Sequence, residues 1–182
     1  NDKEVGTHQG GYDSFSFDIT EALTTAGEQK LVVSVIDPGD SGTQPRGKQV
    51  REPNDIWYTS TTGIWQTVWL EPVAETHITN LKMETDIDSK TLHLNIEEEK
   101  GEEGIVVKAV VLVDGEVVTE VLGNLEETLN IKIPNAKLWS PDEPFLYDLK
   151  VTLLQNEEVI DEVSSYFGMR KIEAKPDETG VM

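Results

Sequence analysis

The chain has 182 residues, a formal net charge of −20 and no cysteine. A surface this acidic repels phosphate backbones and anionic bilayers, so neither nucleic acid nor membrane is an expected partner, and no apolar run approaches the roughly 18 residues of a membrane helix. Without cysteine there are no disulfides, thiolate nucleophiles or cysteine–zinc sites, which leaves both a cytoplasmic and a periplasmic or secreted location open.

Taken in chain order, the apolar residues alternate with a period of two, the signature of half-buried strands. Phe15, Phe17 and Ile19 share a face in one predicted strand, and Leu31, Val33 and Val35 in the next. From Asp37 to Thr62 the chain is dense in Gly, Pro, Ser, Thr and Asp, which predicts a long loop. A loop of that length in a compact domain is more often functional than idle. Ile64 to Leu70 carries large side chains on both faces and predicts a strand covered on both sides.

Glu75-Thr76 reads as a domain boundary. Beyond it Leu92, Leu94 and Ile96 alternate, followed by Val107, Ala109, Val111 and Val113. Val113-Asp114-Gly115-Glu116 predicts a two-residue hairpin, because Asp-Gly tolerates the positive φ of a type I′ turn. Leu129, Ile131 and Ile133 form another strand, stopped by Pro134. Phe145, Tyr147, Leu149, Val151 and Leu153 are expected to pair, across Gln155-Asn156-Glu157, with Val159, Asp161, Val163 and Ser165. About seven short strands in roughly 95 residues predict an immunoglobulin-like β-sandwich. The fold class is therefore all-β throughout.

The chemistry-bearing residues are sparse. His8, His77 and His93 lack metal-ligand spacing, no Gly-x-Ser-x-Gly elbow occurs, and no calcium-loop register is present. A loop-carboxylate cation site between Asp37 and Asp55 is a minor alternative. The many carboxylates fall on outward positions or in turns, and none is singled out as an acid/base pair. No metal and no cofactor is expected. One stretch, Arg51 to Trp65, combines carboxylates, amides, hydroxyls and aromatics. That mixture suits sugars, whose apolar C–H faces stack on aromatic rings while Asp and Asn bond the hydroxyls. The same residues would equally serve as an end plug, with Trp57 and Tyr58 packed on the sandwich and Asp55 in a turn.

Four stretches carry a resemblance. Gly10-Gly11-Tyr12 through Thr20, with Leu31 to Val35, resembles the sugar-binding jelly-roll domain of glycoside hydrolase family 2. Trp57-Tyr58 through Thr62-Gly63-Ile64-Trp65-Gln66-Thr67-Val68-Trp69-Leu70-Glu71-Pro72 is similar to that domain in β-galactosidase-like members. Leu138-Trp139-Ser140-Pro141 and Pro144-Phe145-Leu146-Tyr147 resemble the late part of the family's immunoglobulin-like domain. Phe167-Gly168-Met169-Arg170-Lys171 resembles the strand leading into its catalytic (β/α)₈ barrel.

The resemblance implies part of a jelly roll over residues 1–75, an immunoglobulin-like sandwich over 76–173, and a linker over 174–182 toward a barrel outside this sequence. It implies non-catalytic accessory domains of a retaining glycosidase of β-galactosidase type, with both catalytic glutamates elsewhere. In such enzymes an Asp from the jelly roll, just before an aromatic and a Gly-Ile strand start, enters the sugar pocket. Asp55 matches that position, so the resemblance implies that it accepts a sugar hydroxyl, supported by Asn54 and Trp57. The implied partners are a galactoside-type carbohydrate and the protein's own barrel. A free-standing carbohydrate-binding or structural immunoglobulin-like module is the alternative. Incomplete pairing of the first domain predicts exposed strand edges, and with them homo-oligomerisation or weaker order than in the second domain.

Overall fold

The computed structural model describes residues 1–101, 103–175 and 180. The chain divides into two compact units, Asn1–Leu70 and Glu71–Met182. It is all-β, with a 3-10 turn at Thr20–Ala22.

In the first unit the regular strands are two residues long. β1 (Gln49–Val50) and β2 (Tyr58–Thr59) pair in parallel, Gln49 beside Tyr58 and Val50 beside Thr59. Parallel pairs normally need a connection of a dozen or more residues. These strands are so short that Arg51 to Trp57 suffices. The segments expected as strands, 15–19, 31–35 and 64–70, have no ladder among the described residues. A strand persists only when its backbone groups find partners, and alternation alone supplies none. Their side chains accordingly face solvent: Leu31, Val33, Trp65, Trp69 and Leu70 are all exposed. Long-range tethers hold the unit instead. The Asn1 side chain accepts the Lys30 amide through Oδ1 and donates to Ala22 O. The Trp65 indole donates to Gly11 O at 2.7 Å, and His8, Phe15 and Phe17 form a short aromatic stack.

The second unit is a two-sheet sandwich. Its strands are β3 (His77–Asp86), β4 (Thr91–Glu99), β5 (Val106–Val113), β6 (Glu116–Asn124), β7 (Leu129–Lys132), β8 (Tyr147–Gln155) and β9 (Glu158–Phe167). One sheet runs β3-β4-β7 and the other β6-β5-β8-β9, with antiparallel neighbours throughout. The core lies between them and follows the alternation. Leu92, Leu94, Leu129 and Ile131 of the first sheet meet Val107, Ala109, Val111, Leu149, Val151 and Leu153 of the second, and all are buried. Each of these Leu, Ile and Val side chains contributes roughly 1.5–3 kcal/mol by leaving water, which makes this layer the source of the unit's stability.

The expected Asp114-Gly115 hairpin is present. Its φ angles are 51° and 83°, both in the left-handed region a type I′ turn requires. Asn156 and Glu157 make the equivalent turn between β8 and β9, with φ of 51° and 68°. One detail departs from strict alternation. The register of β9 shifts between Leu153 and Leu154, so that Asp161 faces Leu153 while Val159 pairs with Leu154. Ile160 is the extra residue and packs on the core, whereas Val159 is exposed. Val159 therefore does not share the face of Asp161, Val163 and Ser165. A bulge also interrupts the register of β6 between its pairs with Val111 and Leu112. Both strands are sheet edges, and bulges there twist the edge away from stray pairing.

Contacts at the sheet edges and at one end close the sandwich. Asp161 Oδ2 accepts the Ile78 amide at 2.7 Å, joining the edge strands β9 and β3 of opposite sheets. At one end Tyr147, buried, stacks on Phe167, and its hydroxyl accepts the Lys137 amide at 2.8 Å. There Leu138 bridges Met169, Trp139 N donates to Met169 O, and the Arg170 guanidinium lies over the Trp139 ring. Of the expected linker, residues 176–179 and 181–182 lie outside the described residues.

Candidate functional site

The long Gly/Pro-rich segment is a folded-back loop. Asp37 Oδ1 accepts the Gly39 amide in a tight local turn, and Asp37 Oδ2 accepts the Thr62 hydroxyl at 3.2 Å, tying the two ends of the loop together. The β1–β2 pair forms its waist: Tyr58 N donates to Lys48 O at 2.8 Å and Ser60 N to Val50 O at 3.2 Å. Beyond the waist the Trp57 amide donates to Asn54 O at 2.9 Å, closing a four-residue turn. Asp55 occupies the second position of that turn with φ of 48°, a conformation Asp adopts more readily than most residues.

This turn and the segment before it enclose an open cleft of about 390 Å³ lined by Asp40, Val50, Arg51, Glu52, Asn54 and Trp57. Of the three expected sugar-binding residues, Asn54 and Trp57 line the cleft. Asp55 sits on the turn between them and is not part of the wall. Trp57 is 38% exposed, so part of its surface stays open to solvent. Arg51 is anchored within the loop: its Nη2 donates to Pro38 O at 2.7 Å and its Nε lies 3.6 Å from Asp40 Oδ1.

Asp40 lines the cleft although its residue type does not single it out. Nothing in its local pattern distinguishes it from the other loop carboxylates, and only the fold-back carries it to Arg51. Arg51 and Glu52, which lie beside Asn54 in the quoted stretch, were legible by proximity. Within the span Asp37 to Asp55 weighed for a cation site, Asp37 accepts from Gly39 and Thr62 and Asp40 faces Arg51, while Asp55 lies on the exposed turn. No group of three or more potential ligands converges among the described residues. The histidines have packing and bonding roles. His8 stacks on Phe15, His77 bonds Ala74 O, and His93 bonds the Asn130 side chain.

Comparison with known proteins identifies the chain. Residues 67–170 match the family model described as glycosyl hydrolases family 2, which is more than half of the sequence. The chain belongs to glycosyl hydrolases family 2. Among curated members, it is 27% identical over 187 residues to a β-galactosidase of Thermoanaerobacter pseudethanolicus, covering 97% of this chain and 24% of that protein. A protein of Formosa agariphila named for β-glucuronidase activity is 32% identical over 185 residues, covering 96% of this chain and 21% of its own length. The chain thus spans about a quarter of these family 2 relatives. In three dimensions it resembles a β-glucuronidase of Ruminococcus gnavus with a TM-score of 0.50 and 20% identity, covering 57% of this chain and 17% of that one. The last likeness speaks for the fold alone.

Proposed function

We propose that these two units are the accessory domains of a retaining family 2 glycosidase of β-galactosidase type. In this reading they brace a catalytic (β/α)₈ barrel and lend the Asn54–Trp57 loop to the sugar pocket, while the acid/base and nucleophile glutamates belong to the barrel. The observation that carries the reading is the alignment itself: almost the whole chain matches one continuous portion, about a quarter, of enzymes named β-galactosidase. The chemistry of the loop supports it. Trp57 offers a ring face to the C–H side of a sugar, Asn54 offers both a donor and an acceptor, and Asp55, on its exposed turn, can accept hydroxyl protons from a sugar seated above the cleft.

The test is Asp55→Ala in the full-length glycosidase. Loss of a charged hydrogen bond to a sugar hydroxyl is expected to lower kcat/KM for a galactoside by about tenfold. A fall of less than about threefold would remove Asp55 from the pocket. The 182-residue chain alone is expected to turn over no glycoside, and turnover by the rigorously purified chain would refute its accessory role.

A further inference from the structure

The segment that leaves β9 is tied down from two directions. Met169 is buried, Leu138 bridges it in parallel, and Trp139 N donates to Met169 O at 2.9 Å. From the β3–β4 hairpin, Thr85 Oγ1 donates to Arg170 O at 2.9 Å, and Asp88 Oδ2 accepts Lys171 Nζ at 3.1 Å. These bonds fix the direction in which the chain leaves the sandwich. Around this exit the outer face of the four-stranded sheet turns apolar. Tyr147 pairs with Phe167 and Asp148 with Tyr166, and alternate residues share a face, so Leu146, Tyr166 and Gly168 lie on the outer side there. Trp139 packs over Gly168 and carries the Arg170 guanidinium 5.2 Å from its ring centroid. Leu146 and Tyr166 are exposed, and Ile172, just beyond, is 82% exposed. The middle of the same face is built for water instead, with Lys108 paired to Glu120 and Lys150 to Glu162. Apolar side chains that gather at one place on such a surface point to an interaction site.

We infer that this end of the second unit, formed by Leu146, Tyr166, Trp139 and Ile172, is the surface on which the protein's own catalytic barrel seats. The inference rests on the reading of the chain as accessory domains, in which Phe167 to Lys171 leads toward that barrel, and it adds which face makes the contact. The chain spans about a quarter of its family 2 relatives, so under that reading most of the enzyme lies outside these residues. A body joined by a short, clamped tether is present at an effective concentration on the order of millimolar, and a modest apolar patch then suffices to hold it. A second copy of this chain is the poorer occupant, because each copy carries a formal charge of −20 and the two repel. The outer layer of a (β/α)₈ barrel is a ring of helices. A helix there can set aliphatic side chains against Tyr166 and Leu146 and a carboxylate against Arg170.

The experiment is hydroxyl-radical footprinting of the full-length glycosidase beside the 182-residue chain, read residue by residue by mass spectrometry. Leu146, Tyr166 and Ile172 are expected to oxidise several-fold more slowly in the full-length enzyme. Val117 and Leu122, which are exposed on β6, should oxidise alike in both. Equal rates at Leu146, Tyr166 and Ile172, or equal protection of Val117 and Leu122, overturn the assignment of the face. Protection that appears in the isolated chain as its concentration rises assigns the face to a second copy and overturns it too. A paired variant supplies the second readout. Leu146→Asp with Ile172→Asp should restore Tyr166 oxidation and lower Tm in the full-length enzyme while leaving Tm of the isolated chain unchanged, since both side chains are exposed there. A fall of the same size in the isolated chain would overturn the inference. A full-length protein without glycosidase activity would refute the accessory reading itself, a separate failure.

Discussion

The Asp37 carboxylate and the Thr62 hydroxyl, 25 positions apart, are hydrogen-bonded at 3.2 Å and join the two ends of the loop that carries the cleft. Closing a loop of this length costs entropy, and this bond adds to the β1–β2 pair in opposing it. Asp37 also caps the local turn at Gly39. Asp37→Ala removes both bonds at an exposed site and is expected to cost about 1 kcal/mol or less. Its larger effect is on order. Amide exchange from Arg51 to Thr61 should accelerate while exchange in β5 and β8 stays unchanged, and equal rates in the loop would show that the tie holds nothing.

Gly168 is packed against Trp139. A Cβ added there would lie 3.1 Å from Trp139 Cβ and 3.2 Å from Cγ and Cδ1. The Trp139 backbone is pinned by its bond to Met169 O, so the ring cannot retreat freely. Gly168→Ala should destabilise the second unit by about 1–3 kcal/mol in urea unfolding. It should also break the Arg170–Trp139 stack, visible as a change in tryptophan fluorescence.

Glu157 holds a φ of 68° in the β8–β9 turn, where Asn156 precedes it at 51°. A left-handed conformation costs a residue with a Cβ roughly 1–2 kcal/mol, and glycine escapes that cost at some loss of chain entropy. Glu157→Gly is therefore expected to stabilise the sandwich by about 0.5–1 kcal/mol and to raise Tm by a few degrees. An unchanged or lower Tm would contradict the strain.

Asp86 lies at the β3–β4 turn, where its carboxylate is held below its ordinary value of 3.8, first by the Ser89 side chain and then by the Ser89 amide. A depressed carboxylate stabilises the folded state above its unfolded pKa, and that contribution is lost as pH falls through the folded value. Ser89→Ala should move the Asp86 midpoint upward in an NMR pH titration. The sensitivity of the turn to acid should then begin at higher pH. A midpoint that did not move would assign the depression to backbone amides alone.

The two units should also differ in protection. β5 and β8 pair on both sides and bury Val107, Ala109, Val151 and Leu153 completely, so their amides should exchange only on global unfolding. Segments 31–35 and 64–70 have no ladder bonds among the described residues and expose Val33, Trp65 and Trp69. They should exchange within the dead time of the measurement. Slow exchange there would mean that these strands acquire partners in solution, as association through exposed edges predicts.

Much of the second unit could be read from sequence because each reading needed only neighbouring residues. Leu92-Leu94-Ile96, Val107-Ala109-Val111 and Leu149-Val151-Leu153 alternate, and side chains two apart in a strand must share a face. Asp114-Gly115 names its turn because few residue pairs tolerate two positive φ angles. The lining of the candidate cleft was legible in part. Asn54 and Trp57 signalled themselves by residue type, whereas Asp40 and its pairing with Arg51 did not.

What the sequence determined by itself is local: which residues alternate, where turns fall, which loop holds sugar-like chemistry and how acidic the surface is. Tertiary structure decided the rest. It placed the bulge that turns Val159 outward and Ile160 inward, the Asp161 bridge to Ile78, and the approach of Asp40 to Arg51. It also decided that the alternating segments of the first unit lie unpaired. The physical reason is common to all of these. A periodic pattern fixes the faces of a strand, but hydrogen-bond partners and ion pairs between distant segments exist only once the chain has brought them within about 3 Å.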